Sequence, residues 1–394
     1  MKKLFIIALL LPLMTVVSCC KQETMAEMTA RVFGVAETQC TLMAASLDGD
    51  TMPRTYEGDS LVLSPVKWWC SGFFPGTLWY VYEYTGSAKI RELAERQTMK
   101  VEPIKEVKHD HDVGFQINCS FGNGYRLTGN EYYRDVMHTA ARSLATRFNP
   151  AVGCTRSWDW VKKGRDWQFP VIIDNMMNME LLLSAAALYD EPELGDIAVS
   201  HAATTLKNHF RDDFSCFHLV DYDPETGAVR HRETVQGYSD SSSWARGQAW
   251  ALYGFSMVYG FSGRGEFLAQ AEHIADMLLS RLPEDGIPYW DFDAPDIPDA
   301  LRDASAGAIM ASAFIALSAQ TADRMKAGTY LAMAERQLRT LASDEYLAAP
   351  GENGGFILKH SVGNLPGNGE VDVPLTYADY YFLEALVRYA KRME

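Results

Sequence analysis

Apolar residues recur along the chain at helical spacing, and short turns rich in Gly, Pro or Asp interrupt them. One unit repeats: a helix of aromatic and small residues, a turn, and then a more polar, charged helix. The turns are predicted at Thr85-Gly86, at residues 128–130, at residues 190–192, at Ser262-Gly263 and near Thr321. The chain is therefore predicted to be a series of helical hairpins.

The spacing between the hairpins is not fixed, which argues against an open solenoid with a strict period. Helices of alternating polarity instead predict two concentric layers, with apolar helices inside and amphipathic helices outside. A last helix at residues 376–393 ends the series, and a helix from Met25 to Ser46 is expected to pair with it. The predicted fold is all-α, a closed (α/α)6 barrel, with a short strand hairpin near residues 225–227.

The first 19 residues have the pattern of a bacterial export signal. Two lysines precede an apolar run from Leu4 to Val17, which is too short to span a membrane. The following Ser18-Cys19 resembles a lipobox, which implies that Cys19 becomes a lipidated first residue. We therefore expect a lipoprotein signal peptide at residues 1–19 and a single catalytic domain at residues 20–394. The expected location is periplasmic or anchored to the outer membrane through the lipid on Cys19.

Composition limits the partners and the cysteine chemistry. The 394 residues are 47% hydrophobic, and the net charge of −15 argues against non-specific binding to nucleic acid or to anionic lipid. Five cysteines follow the export region, odd in number, widely spaced and without a CxxC pair. They are predicted to be mostly buried thiols, with one chance disulfide left open. These five are Cys40, Cys70, Cys119, Cys154 and Cys216.

Loops that join the hairpins are expected to meet at one end of such a barrel and to build its site. The first unusual junction, "VKWWCSGFFPG", brings Trp68, Trp69, Phe73 and Phe74 to the start of an inner helix. Aromatic faces in a cleft can stack on the C–H faces of sugar rings. Ordinary core packing is the alternative for each of them.

The second junction, "HDHDVGFQI" at residues 109–117, alternates acids and imidazoles just before an inner helix. Asp112 is placed to cap that helix, and capping is compatible with catalysis because it would hold the carboxylate rigidly. Metal ligation is the other alternative. No further His or Cys lies at a convincing ligand spacing, so no metal is expected.

The third junction, "FPVIIDNMMNME" at residues 169–180, sets Asp174 in an apolar run. A helix start would lower the pKa of this acid, whereas apolar neighbours and a second carboxylate would raise it. An acid whose pKa moves towards neutrality suits a proton donor. The alternative is again an N-cap, with Asn175 and Asn178 as local hydrogen-bond partners.

The fourth junction, "SSSWARGQAWALYGF", places Trp244, Arg246, Gln248 and Trp250 at the start of an inner helix. Arg246 and Trp250 are four residues apart and therefore share one face. An arginine between tryptophans suits a carboxylate on a sugar ring, through ion pairing at the edge and stacking on the face. An arginine packed on aromatics for structural reasons is the alternative.

Together, "HDHDVGF", "IIDNMMNME", "SSSWARGQAWALYGF", "DASAGAIMASA" and "DYYFLEAL" resemble the unsaturated glucuronyl hydrolases of glycoside hydrolase family 88. The motifs occur in the family's order and extend over nearly all of the chain after the export signal. The resemblance implies an (α/α)6 barrel without a metal or an organic cofactor. It also implies hydration of the C4=C5 vinyl ether in an unsaturated uronic acid, on disaccharides or short oligosaccharides left by polysaccharide lyases.

The resemblance assigns roles to individual residues. Asp174 would protonate C4 and activate the water, and Asp112 would hold the ring hydroxyls and tune its partner. The residues expected to line the uronate subsite are Trp69, His111, His218, Gln236, Arg246 and Trp250. Lys359 and Ser361 lie where some chondroitin-specific relatives contact sulfate, but their surroundings do not match that set.

Three rival functions remain open at this point. An unsaturated rhamnogalacturonyl hydrolase would share the fold and the chemistry but act on pectin fragments. A lipoprotein that only binds glycans would need the tryptophans and Arg246 but not Asp174. An inverting glucosidase on the same barrel would use a glutamic acid and saturated sugars.

Overall fold

The computed structural model describes residues 23–393, and its helices form two concentric rings. The inner ring consists of α2 (Phe73–Thr85), α4 (Val113–Ile117), α5 (Asn123–Thr128), α7 (Asn175–Tyr189), α9 (Ala245–Ser262), α11 (Ala304–Gln320) and α13 (Thr376–Met393). A π-helical turn at Asn118–Gly122 joins α4 to α5, so the two act as one inner helix. The outer ring consists of α1 (Met25–Ala45), α3 (Ala88–Val101), α6 (Glu131–Ala145), α8 (Pro192–Asn208), α10 (Gly265–Arg281) and α12 (Arg324–Leu341).

The inner ring is closed, because each inner helix packs on the next and α13 packs on both α11 and α2. Burial differs between the rings as the polarity pattern predicts. In α9 every residue from Ala245 to Val258 is buried, whereas α6 buries one face only. The predicted (α/α)6 barrel is confirmed.

The predicted turns are confirmed as well. Three inner helices end at a glycine in the left-handed region, Gly86, Gly129 and Gly263, with φ of 64° to 67°. This conformation is typical of helix C-termini and favours glycine there. The N-terminal helix α1 begins with a capping box between Thr24 and Glu27, and it packs on α2 and α13 as expected.

Within residues 23–393, nine short strands lie in the junctions between hairpins. They are β1 (Thr51–Glu57), β2 (Ser60–Pro65), β3 (Phe148–Asn149), β4 (Cys154–Thr155), β5 (Phe169–Ile172), β6 (Leu219–Tyr222), β7 (Val229–Glu233), β8 (Ser361–Asn364) and β9 (Gly369–Val373). They pair as β1-β2, β3-β4, β5-β6-β7 and β8-β9, all antiparallel. The hairpin predicted near residues 225–227 is the β6-β7 pair. The other pairs escape prediction because two to seven residues carry too little alternation.

The expected export signal at residues 1–19 and its Cys19 lie outside the described residues, so the domain boundary there stays a prediction. Between residues 23 and 393, no helix combines the length and apolar character needed to cross a membrane. The five cysteines in this range are free and buried, as predicted.

Candidate active site

The inner helices begin at the same end of the barrel, and their first residues contact one another there. Phe115 at the start of α4 packs on Trp69, which precedes α2, and on Trp250 of α9. Asn178 of α7 accepts a hydrogen bond from the Phe115 backbone N–H at 2.7 Å. Arg246 of α9 pairs with Asp303, the N-cap of α11. Side chains from all four predicted junctions therefore meet at one end.

The β5-β6 pair places Asp174 beside His218. The strands are in register, and the Ile173 N–H donates to the His218 carbonyl at 2.9 Å. Asp174 occupies the N-cap position of α7, yet its side chain caps no N–H. Its carboxyl group is 15% exposed, and Oδ2 lies 3.7 Å from Nε2 of His218 without a hydrogen-bond partner among the described residues. The capping alternative for Asp174 is therefore wrong.

Burial is the main cause of the raised pKa of Asp174. It raises the pKa of the carboxyl group to about 6, against the opposing effects of Arg246 and the Asp174 backbone N–H. A carboxyl group with this pKa keeps a proton at slightly acidic pH and releases it near neutrality. It can therefore act both as a proton donor and, once ionised, as a base.

His218 is a neutral imidazole of defined tautomer. Its Nδ1 accepts the backbone N–H of Val235 at 3.0 Å and that of Gln236 at 3.4 Å, so the proton resides on Nε2. Burial lowers the pKa of His218 to about 3. The Nε2–H therefore faces the Asp174 carboxyl group as a neutral donor.

Asp112 and His111 form a similar pair at the start of α4. His111 Nε2 lies 3.5 Å from Asp112 Oδ2, and burial lowers the His111 pKa to about 4. Asn178 holds both, because its amide nitrogen lies 3.3 Å from His111 Nδ1 and 3.5 Å from Asp112 Oδ1. Asp112 also sits at an N-cap position without capping the helix. The capping alternative is wrong here as well.

The charge of Asp174 influences the titration of Asp112. Burial raises the pKa of Asp112 well above its usual value, and the charges of Asp110 and Asp174 raise it further. Their proximity depends on Gly114, since a Cβ there would lie 2.5 Å from the Asn178 Cα atom. The glycine thus lets α4 approach α7 closely. The negative charge of Asp174 therefore makes ionisation of Asp112 less favourable, in the same direction as burial does.

Arg246 is at the site but is more fully engaged than the sequence suggests. Its guanidinium donates to the carbonyls of Val362 at 2.5 Å and Gly363 at 2.6 Å, and it pairs with Asp303 at 3.2 Å. It also lies over the ring of Trp244, 4.5 Å from the centroid. Its positive charge lowers the pKa of Asp174. Arg246 therefore anchors β8 to the site in addition to any contact with substrate.

The remaining predicted residues lie around this centre. Gln236 donates to the Gly363 carbonyl at 3.2 Å, the same oxygen that Arg246 contacts. Trp69 is half-buried and packs on Tyr377 with 5.0 Å between ring centroids. Trp250 is fully buried, and its indole nitrogen forms no hydrogen bond with the described residues. The structure thus brings all eight predicted residues to one end of the barrel, while their roles stay predictions.

Comparison with known proteins agrees with this arrangement. A family model for Glycosyl Hydrolase Family 88 matches residues 44–385. An unsaturated glucuronyl hydrolase of Formosa agariphila is 48% identical over 327 residues, which cover 82% of this chain and 80% of the relative. An unsaturated glucuronyl hydrolase of Bacillus sp. (strain GL1) is 33% identical over 350 residues, 86% of this chain and 91% of the relative. This chain belongs to glycosyl hydrolase family 88.

The family 88 fold extends over the whole described barrel. The crystal structure of an unsaturated glucuronyl hydrolase specific for heparin superimposes with a TM-score of 0.89 at 47% identity. The match covers 93% of this chain and 97% of that one. The fold and the glycosidase class predicted from the sequence are confirmed.

Several residues of this family 88 site were missed or misplaced by the sequence reasoning. Asn178 contacts Asp112 and not Asp174, because α4 packs against α7 and brings Asp112 to Asn178. Trp158 packs beside His218, Trp160 and Trp167 pack on Trp158, and their spacing in "SWDWVKKGRDW" was an available signal. Lys359, the candidate sulfate contact, is turned away, since its Nζ donates to the Asp344 carbonyl at 2.7 Å.

Two other features of the barrel bear on the site. The donor atoms of Asp110, His111 and Asp112 lie within 4.8 Å of one another, but Asn178 already donates to His111 Nδ1. The expectation that the reaction needs no metal stays a prediction. A cavity of about 550 Å³ lies towards the opposite end, and Glu83, Glu180 and Glu384 are among the residues that line it. It is remote from the chemistry described here.

Proposed function

We propose that this family 88 glycosidase hydrates the C4=C5 vinyl ether of unsaturated glucuronic acid at the non-reducing end of lyase-generated glycosaminoglycan oligosaccharides. One observation carries the proposal: the buried, uncapped Asp174 carboxyl group, with a pKa of about 6, faces the open end of the barrel beside neutral His218. A purely structural acid or a glycan-binding surface has no use for such a group. An inverting glucosidase would need a different pair of acids.

The proposed reaction uses one proton at a time. Protonated Asp174 gives its proton to C4, which leaves a cation at C5 stabilised by the ring oxygen. The Asp174 carboxylate then takes a proton from water as the water oxygen bonds to C5. The resulting hemiketal opens, and the hemiacetal formed at C1 breaks down to an aldehyde and the free neighbouring sugar. Asp174 ends the cycle protonated, as it began.

The other polar groups of the site support these steps. His218, held neutral, places its Nε2 atom 3.7 Å from Asp174 Oδ2, so it lies beside the reacting carboxyl group without adding a positive charge. Asp112, held by Asn178, faces the same space and is placed to bind ring hydroxyls. Arg246 contributes a positive charge that favours the substrate carboxylate. Stacking on the sugar ring is assigned to Trp69, which is half-buried, whereas Trp250 is fully buried.

The substrate class follows from the relatives. Those compared above are named unsaturated glucuronyl hydrolases, and a Streptococcus pyogenes relative, 32% identical over 344 residues, is named an unsaturated chondroitin disaccharide hydrolase. This favours glycosaminoglycan fragments over the pectin fragments of the rhamnogalacturonyl alternative. The high similarity to a heparin-specific structure makes heparan-type disaccharides the first choice in the panel.

A spectroscopic assay tests the function directly. Unsaturated disaccharides absorb in the near ultraviolet, and hydration of the C4=C5 bond removes that absorbance. We expect loss of absorbance with glycosaminoglycan disaccharides made by lyases, little with pectin-derived ones, and no sugar release from saturated analogues. Sugar release from the saturated analogues, or fast turnover of the pectin fragments alone, would contradict the proposal.

We further propose that residues 1–19 are a lipoprotein signal and that Cys19 anchors the enzyme to a bacterial membrane. The support is the "VVSC" sequence after the short apolar run. In a bacterial host, the wild-type chain is expected in the membrane fraction. A Cys19→Ala chain is expected to lose the acyl mass from its N-terminus and to leave the membrane. Equal membrane association of both chains would contradict the anchor.

A further inference from the structure

The segment at residues 156–168, here called the tryptophan loop, connects β4 to β5 at the open end of the barrel. Both of its acidic residues are held by arginines of the framework. Asp159 accepts two hydrogen bonds from Arg147 at 3.0 and 3.2 Å, and Asp166 pairs with Arg230 at 2.8 Å. The loop is therefore fixed near both ends, and its acids are neutralised from outside.

The tip of the loop carries positive charge that nothing nearby neutralises. The Arg165 N–H donates to the Lys162 carbonyl at 2.9 Å, and Gly164, with φ of +87°, closes this turn. The Arg165 guanidinium is engaged by Glu233 at 3.1 Å. Lys162 and Lys163 are exposed and form no ion pair within residues 23–393. Two free cations thus stand together on a protein whose net charge is −15.

The tip adjoins the catalytic centre through stacked aromatic rings. Trp158 lies with its edge towards His218, 6.1 Å between centroids, and stacks on Trp160 at 4.6 Å. Trp160 is 51% exposed, an unusual state for so large an apolar side chain. The charge of Lys162 reaches His218, where it adds to burial in lowering the pKa. The exposed ring and the lysines therefore lie where a substrate must leave the barrel.

We propose that Lys162 and Lys163 bind an anionic substituent, sulfate or carboxylate, on the reducing side of the unsaturated ring, while Trp160 packs against the sugar that carries it. This inference rests on the proposed function, because Asp174 and Asp112 define where the unsaturated ring lies. The next sugar then extends towards solvent past His218 and the tryptophan loop. Glycosaminoglycan sugars are rich in such anions, and free lysines beside an aromatic face complement them.

Lys359 is less well placed to contact a sulfate group than the lysines of the tryptophan loop. Lys359 donates to the Asp344 carbonyl and faces away from Arg246 and Asp174, at the edge of a separate cavity lined by Arg31. The tryptophan loop is therefore the better candidate for binding an anionic substituent on the leaving sugar. Because the lysines are exposed, each contact is expected to be modest and sensitive to salt.

The test compares two unsaturated disaccharides that differ only by a sulfate on the reducing-end sugar. The Lys162→Ala/Lys163→Ala chain is expected to lower the ratio of kcat/KM, sulfated over unsulfated, by about five- to tenfold. In the parent this ratio should fall as NaCl is added, and in the double variant it should not. Lys89→Ala, an exposed and unpaired lysine at the start of α3 on the far end of the barrel, is the matched control and should keep the parental ratio.

The arms of this experiment separate the two levels of inference. An unsaturated tetrasaccharide without sulfate, compared with its disaccharide, shows whether Lys162 and Lys163 bind a carboxylate on a sugar further towards the reducing end. Trp160→Ala should slow both disaccharides, with the ratio changed less than in the double lysine variant. An unchanged ratio in the double lysine variant with both sulfated and longer substrates overturns the role of the tip. Failure of the parent chain to hydrate any unsaturated uronide overturns the proposed function instead.

Discussion

Replacing Asp174 by Asn is expected to lower activity strongly and at the same time to stabilise the folded chain at neutral pH. Burial raises the pKa of this carboxyl group from 3.8 to about 6. Between these two values the folded state binds more protons than the unfolded state, so the free energy of unfolding decreases as pH rises. A shift of about two pKa units lowers the free energy of unfolding by about 3 kcal/mol, and this loss is complete above about pH 6. The amide of Asn carries no charge and removes this cost.

Urea denaturation of both chains at two pH values measures the effect. At pH 8 the Asp174→Asn chain should be more stable by up to about 3 kcal/mol, or about 4 °C in Tm for a chain of this length. At pH 4 the two chains should differ little, because the wild-type carboxyl group is then protonated in the folded state. Activity of the variant should fall by about 10²–10⁴-fold or more.

A second buried aspartate gives the opposite expectation and serves as the control. Asp303 pairs with Arg246 at 3.2 Å, and its Oδ1 accepts hydrogen bonds from the Ser305 N–H and hydroxyl. Removing its charge leaves Arg246 buried without its counterion, so Asp303→Asn should destabilise by about 3–5 kcal/mol. If Asp174→Asn is also destabilising at pH 8, or if its effect is the same at both pH values, the electrostatic reasoning about Asp174 is refuted.

Other consequences can be measured with the same chains. Because Asp174 must be protonated to donate its proton to C4, kcat/KM should fall about tenfold per pH unit above about pH 6, as a pH–rate profile would show. Arg246→Ala should raise KM and also lower the free energy of unfolding by about 3–5 kcal/mol, because Asp303 loses its partner; an unchanged KM would contradict a uronate role. Asn178→Ala releases Asp112 and should lower kcat by about 10²-fold, with far-ultraviolet circular dichroism unchanged. The five buried thiols should resist a thiol reagent until the chain unfolds, and fast labelling of any of these five in the native chain would contradict their burial.

The barrel was predictable because helical periodicity depends on local sequence. Each hairpin joins an apolar helix to an amphipathic one, and left-handed glycines such as Gly86 and Gly263 mark the turns. The strands of the junctions were not predictable in the same way. Their pairing joins segments far apart in the chain, as when β5 meets β6 some fifty residues later. Short strands carry no local signal strong enough to show such a partner.

The site shows the same division between local and distant information. Asp174 stands out because an acid among apolar residues is costly and needs a reason. His218 has no such local signal, and only the family resemblance points to it. Its role comes from β6, which carries it to within 3.7 Å of Asp174. Asn178 was assigned to Asp174 by sequence proximity, but helix packing gives it to Asp112 instead. Arg246 was expected to line the uronate subsite, and its hydrogen bonds to the carbonyls of Val362 and Gly363 could not be predicted from the sequence.

Both candidate acids stand where a helix begins, and neither caps it. A capping aspartate accepts backbone N–H groups, which lower its pKa and commit its oxygens. At Asp174 and Asp112 the oxygens instead face the space between the inner helices, so burial outweighs the helix start and the pKa rises. The neutral imidazoles alongside add hydrogen-bond donors without adding the positive charge that would cancel this rise. The barrel thus keeps two uncapped carboxyl groups at its open end. Their burial lowers the free energy of unfolding at neutral pH, and the same burial raises the pKa that Asp174 needs to donate a proton to a carbon atom.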